Sequence, residues 1–228
     1  MRIHFLTTRW PTRDSVTRAA AVLLADWGVQ VRFVRPEPGG GLEYERADLY
    51  ILKSADDAVL RVADALESAG AGCLNRPRVV RLTRDHAGLA GALRSFGVSL
   101  AAPTEAASGS DAGRDDDAGT KVYRIGGQVF GVERRGAVVR PLTVPVETRE
   151  LTDVVARVLG SDLFGLDLAA GGADPLRPDG DAGCAGPVVA QVHAFPGFKG
   201  VPDGGLRLAD YIYAAAHEQA AEREVVRS

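Results

Sequence analysis

Cysteine is nearly absent from this chain: Cys73 and Cys184 are the only two, and no CxxC spacing joins them. That excludes a disulfide framework and a cysteine-built metal site, and it predicts two buried or indifferent thiols in a cytoplasmic protein. The four histidines, His4, His86, His193 and His217, are scattered without metal-ligand spacing. No Ser/His/Asp or Cys/His set for nucleophilic catalysis is discernible. Lysine is rare, with arginine carrying most of the positive charge, a compositional habit that says nothing of function. No apolar run approaches ~18 residues, so a membrane-spanning helix is not expected. The opening MRIHFLTTRW lacks the long apolar core of a signal peptide. A net charge of −3 offers no broad basic field, so nucleic acid is not the expected partner.

What is present suffices for a core. At 228 residues and 46% hydrophobic, the chain can hold one or two small domains. Arg2 to Leu6 reads as a short buried strand. A helix from Asp14 follows, with Val16, Ala20, Leu23, Leu24 and Trp27 on one face, and Gly28 ends it. Val29 to Val34 and Asp48 to Leu52 read as strands. Ser54 or Asp56 then caps a helix whose face is Val59, Val62, Ala63 and Leu66. Strands alternating with amphipathic helices predict a parallel sheet covered by helices. One further helix is expected over Arg84 to Phe96.

The character then changes. Residues Thr104 to Thr120 hold no aliphatic side chain larger than alanine and include three consecutive aspartates, Asp115 to Asp117. Such a segment cannot offset its ordering entropy, so it reads as a flexible linker and the aspartates as a solvated charge run rather than a metal site. Beyond it, Lys121 to Ile125 and Gln128 to Glu133 predict a hairpin turned at Gly126-Gly127. Glu147 to Leu159 predicts a helix with Leu151, Val154, Val155, Val158 and Leu159 on one face. Leu163 to Leu168 and Val188 to Val192 read as strands joined by a Gly-, Pro- and Asp-rich loop, and Leu206 to about Glu222 as the closing helix.

The stretch Val188 to Gly200, VVAQVHAFPGFKG, carries the most information. It resembles the final strand of the ATP-grasp superfamily, where the pattern runs V-V-x-E-V-N-x-F-P-G-F and the Glu and Asn bind magnesium. Here Gln191 stands at the Glu position and His193 at the Asn position. KVYRIGGQVFGVERR resembles the family's hairpin, which places Lys121, Arg134 and Arg135 where cations face phosphate or substrate. LFGLDL puts Asp167 on the first metal-ligand position. A strand ending in Lys53-Ser54, then Asn75, then RLTRDHAGLAGALRSFGVSLAAPTE, resembles the pre-ATP-grasp domain, with His86 where a lysine is usual. The members most similar are the ribosomal-protein glutamate ligases and the inositol-trisphosphate 5/6-kinases.

The resemblance implies an α/β fold in three parts: a Rossmann-like pre-ATP-grasp domain at 1–103, the linker at 104–120, and the C-terminal mixed α+β portion of an ATP-grasp domain at 121–228. It also implies ATP and magnesium as cofactors, with Asp167, Gln191 and His193 as the metal set. Lys53, Lys121, Arg134, Arg135, Pro196 and Gly197 would be the ligand- or phosphate-binding set. Two departures weigh against those cofactors. Only Glu105 to Thr120 occupies the place of the small lobe that clamps ATP with lysines. An amide and an imidazole replace oxygen ligands suited to Mg²⁺, and imidazole nitrogen suits zinc or nickel better.

The leading expectation is therefore a degenerate ATP-grasp protein, non-catalytic or impaired. It would bind a small anionic molecule or a protein partner such as a catalytic paralogue. The alternatives are an active ATP-dependent carboxylate–amine ligase or small-molecule kinase, and an ATP-independent, metal-dependent function on the same fold. Each residue also has a plainer role. Asp167 and His193 would be polar strand-end residues, Pro196-Gly197 a tight turn, Lys53 a surface cation, and one of Arg134 and Arg135 solvent-facing by alternation. Loss of the lobe leaves the hairpin Lys121 to Glu133 as an exposed edge, which predicts self-association into a homo-oligomer.

Overall fold

The computed structural model describes residues 1–37, 46–101, 119–136, 138–169 and 188–227. They fall into two units, one of Met1–Arg84 with Gly197–Lys199 and Asp203–Ser228, the other of Asp85–Pro196 with Gly200–Pro202. Most of the expected linker, the Asp115 to Asp117 run, and the 170–187 connection with Cys184 lie outside the described residues.

In the first unit, β1 (Arg2–Leu6), β2 (Gln30–Val34), β3 (Leu49–Leu52) and β4 (Cys73–Leu74) pair in parallel, in the order β2-β1-β3-β4. The register sets Ile3 beside Leu49 and Leu6 beside Leu52. Ile3, Phe5, Leu6 and Ile51 are wholly buried. Unbroken apolar runs of this kind belong to strands covered on both faces. The two-residue β4 is too short to show a period, and the sequence reading does not include it.

Helix α1 (Val16–Asp26) begins two residues later than expected because Ser15, accepting from the Arg18 amide, is its cap. Its buried residues are Thr17, Ala20, Ala21 and Leu24, while Trp27 is 37% exposed. The expected face, with Leu23 and Trp27 inward, is thus rotated toward small side chains. The reason is α6 (Gly204–Arg227), which packs on α1. A Cβ on Gly205 would stand 2.8 Å from that of Ala19, so the two backbones approach closely.

Asp56, not Ser54, caps α2 (Asp57–Ser68), accepting from the Ala58 amide, while the Ser54 hydroxyl receives the Asp56 amide. Leu60 takes the buried place expected of Leu66. The helix expected over Arg84 to Phe96 is α4 (His86–Arg94), and a separate helix before it, α3 (Pro77–Arg84), is absent from the sequence reading. Asp85 divides them: its carboxylate accepts the Gly88 amide at 3.0 Å and so starts a new helix.

The second unit is antiparallel. Strands β5 (Gly119–Ile125), β6 (Gln128–Arg135), β7 (Val138–Leu142), β8 (Leu163–Ala169) and β9 (Val188–His193) run in the order β7-β6-β5-β8-β9. β5 starts at Gly119, so the last two residues of the expected linker are strand. The hairpin lies inside the sheet and is not an exposed edge, because β7, absent from the sequence reading, pairs with β6 and β8 pairs with β5. On the far side of β9, Leu100 bridges Val189 and the Ala101 amide donates to the Val189 carbonyl. β7 carries Pro141, a residue tolerated on an edge strand, where a missing amide costs no ladder bond. Helix α5 (Val146–Leu159) packs with α4 and buries Thr148, Thr152, Val155, Ala156 and Leu159. Two threonines therefore occupy inward places where Leu151 and Val154 were expected.

Among the described residues, no helix is long and apolar enough to cross a membrane.

Candidate functional site

Alternation along β5, β8 and β9 sends Lys121, Tyr123, Gly165, Asp167, Gln191 and His193 to one face of the antiparallel sheet. The register aligns them in two rows, Lys121–Asp167–Gln191 and Tyr123–Gly165–His193. Asp167 is the hub. Lys121 Nζ donates to its Oδ1 at 2.6 Å, and His193 Nε2 lies 3.1 Å from its Oδ2. All three side chains are partly buried, Asp167 with 29% of its side chain exposed. Burial works to raise the Asp167 pKa. The hydrogen bond and charge of His193, with the charge of Lys121, overcome it and hold the carboxyl below its ordinary value.

A bulge places the row. Between Asp167 and Leu168 the partners step from Gln191 to Val189, leaving Ala190 as the extra residue. Val189 and Val192 thereby both reach the buried face, at 0% and 3% exposure, although three positions apart. Gln191 and His193 keep the polar face.

Around the row, Gly165 has no Cβ because Pro196 sits over it. A methyl there would meet the Pro196 ring at 2.9 Å and Tyr123 at 3.2 Å. Burial, then the Asp167 charge, push the Tyr123 phenol up to about 12, so it stays protonated.

With this geometry, solved structures provide the comparison. No protein-family model and no curated sequence matches the chain. The RimK domain ATP-grasp protein of Sphaerobacter thermophilus superposes with a TM-score of 0.62 at 14% identity, over 92% of this chain and 99% of that one. The ATP-grasp ligase PsnB, complexed with minimal precursor, Mg and ADP, gives 0.63 at 16%, over 94% and 98%. D-cycloserine synthetase DcsG gives 0.64 at 13%, over 96% and 100%. This chain has the ATP-grasp fold.

The PsnB complex contains magnesium, and the donor set here does not fit that ion. Mg²⁺ favours hard oxygen ligands in an octahedron. The row offers one carboxylate, already held at both oxygens, one amide and one imidazole. Among the described residues, no three of His, Cys, Asp and Glu gather as a metal-holding group.

The other candidates divide. Arg134 lies on the same face as Lys121, and its Nε donates to the Gly136 carbonyl at 3.3 Å. Arg135, on the opposite face, is 75% exposed and gives Nε and Nη2 to Glu133. Pro196 packs on Gly165, while Gly197 has open space where a side chain would be. Lys53 belongs to the first unit, where its amide extends the β1–β3 pairing to the Leu6 carbonyl. Cys73 is inert: burial pushes its thiol up to about 12.

Sequence reasoning grouped Asp167 and His193 as metal ligands but missed that Lys121 bonds Asp167, because 46 residues separate the two. It missed Tyr123 as well, whose only signal was its place two residues beyond Lys121.

Proposed function

We propose that this ATP-grasp-fold protein does not carry out magnesium–ATP chemistry and that the Lys121–Asp167–His193 face binds a small anionic ligand. One observation carries the reading: the carboxylate at the metal-ligand position is closed between an ammonium and an imidazole. ATP chemistry depends on cations that bridge and neutralise phosphate oxygens. Here a side-chain cation already compensates Asp167, and neither Gln191 nor His193 adds negative charge to attract a metal. Lys121 and Arg134, on one face of neighbouring strands, supply the cations for an anion smaller than a nucleotide.

Calorimetric titration with ATP and Mg²⁺ tests the first half. No saturable heat at micromolar protein is expected. For the second half, inorganic phosphate is titrated against the His193 imidazole signals in NMR spectra. Saturable shifts are expected in the wild type and are expected to disappear in Lys121→Gln.

A second reading is an active ATP-dependent carboxylate–amine ligase, favoured by the fold's similarity to PsnB and DcsG. Micromolar binding of magnesium–ATP would put it first.

A further inference from the structure

Helix α1 carries its charges at the wrong ends. Arg18 lies in the first turn, just after the Ser15 cap, and Asp26 is the last helical residue. The first turn holds no acidic residue and the last turn no basic one, although the N-terminal pole of a helix favours anions and the C-terminal pole cations. Nothing in the chain balances this placement. Both residues are exposed, and among the described residues neither side chain has an ion-pair or hydrogen-bond partner.

Val22 stands between the two charges, one helical turn from each, and is 48% exposed. Residues 18, 22 and 26 follow at i, i+4 and i+8, so they share one face, with each charge about 6 Å along the axis from Val22. Helix α6 flanks that face. Its Gly205 approaches α1 at Ala19, and eight residues further on in both helices the rings of Tyr213 and Trp27 meet edge to face with centroids 5.7 Å apart. The two helices therefore run side by side in the same direction. Leu206, next to Gly205, is 45% exposed and adds apolar surface beside that contact.

We infer that this face of α1 binds a second copy of the chain, with the two α1 helices antiparallel and crossing at Val22. A two-fold axis there makes the strip its own complement. Arg18 comes opposite the partner's Asp26, the same pair forms again on the other side of the axis, and Val22 meets its equivalent. Each charge then has a partner of opposite sign. Exposed ion pairs around a narrow apolar strip make a weak, reversible dimer that salt weakens further. The surface is not the hairpin to which the sequence reading assigned self-association, and it does not depend on the function proposed above.

Sedimentation velocity of the full chain over a concentration series tests this. The wild type is expected to pass from monomer to dimer through the micromolar range. Arg18→Asp and Asp26→Arg each set like charges opposite one another and are expected to weaken association at least about tenfold. Both substitutions agree with the helix dipole, so neither is expected to lower the melting temperature, and loss of the dimer is then not loss of the fold. Mixing the two variants restores opposite charges at both positions, because the aspartates of one chain face the arginines of the other. A heterodimer of wild-type affinity is expected from the mixture, and a homodimer from the double variant Arg18→Asp with Asp26→Arg. A strict monomer in the wild type at high micromolar concentration overturns the inference. So does unchanged dimerisation in either single variant, or failure of the mixture or of the double variant to associate.

Discussion

The two sheets solve different problems. In the parallel sheet β3 is buried at all four residues and β1 at four of five, so these central strands offer no side chain to solvent chemistry. The antiparallel sheet buries Val122, Leu166, Val189 and Val192 on one face and keeps Lys121, Asp167, Gln191 and His193 on the other. A parallel sheet needs cover on both faces, whereas an antiparallel sheet can keep one face polar. The first is scaffold; the second can hold a site.

The largest expected effect is on the scaffold. Ile51→Ala removes a side chain with no exposure and is expected to cost about 2–5 kcal/mol of unfolding free energy by urea denaturation. A loss under about 1 kcal/mol would mean that the parallel sheet is loosely packed and that the contrast is false.

Asp167→Asn comes next, at about 2 kcal/mol at neutral pH, because it leaves Lys121 without its ion pair. The pH dependence has a definite sign. A carboxyl held below its ordinary value stabilises the fold fully above the unfolded pKa of about 3.9 and loses that contribution as pH falls through the folded value. The gap between wild type and variant is therefore expected to shrink below about pH 4. A gap that widens on acidification would refute the ion-pair account.

Arg124→Ala probes the other face of β5. That guanidinium, 13% exposed, bonds Asp153 on α5 and Asp162 before β8. Both carboxylates are more than half exposed, so solvent screening limits the loss to about 1 kcal/mol, read from the same denaturation curves. Salt at about 1 M should erase part of it.

The smallest effect sharpens the functional side. Gln191→Glu with His193→Asn is expected to change stability by under about 1 kcal/mol, since Gln191 is exposed and an asparagine amide can still donate to Asp167 in place of the partly buried imidazole. It should gain weak divalent-metal binding by calorimetry and no ATP turnover. Nucleotide-dependent turnover would show that restoring oxygen ligands is enough, and the ligase reading would replace the one proposed.

The parallel half was legible because its strands are short apolar runs separated by capped, periodic helices. The antiparallel half was legible in its hairpin, in LFGLDL, which named Asp167, and in the V-V-x-x-V-x-x-F-P-G-F stretch, which named Gln191 and His193. Helix boundaries set by single side chains were harder. Asp85 reads equally well inside a helix or as a cap, and only its bond to the Gly88 amide decides.

By itself, the sequence determined the order of the strands and helices other than β4, α3 and β7, the polar and apolar alternation along β5, β8 and β9, and the substitution of amide and imidazole for oxygen ligands. These are local properties, written within a few residues of one another. Tertiary structure decided the rest: that α6 returns to lie on α1, that β7 covers the hairpin, that α5 turns Thr148 inward, and that Lys121 meets Asp167 across 46 residues. Each depends on which distant surfaces come together and on a strand register in which one residue of slip exchanges the faces. A local pattern does not contain that information.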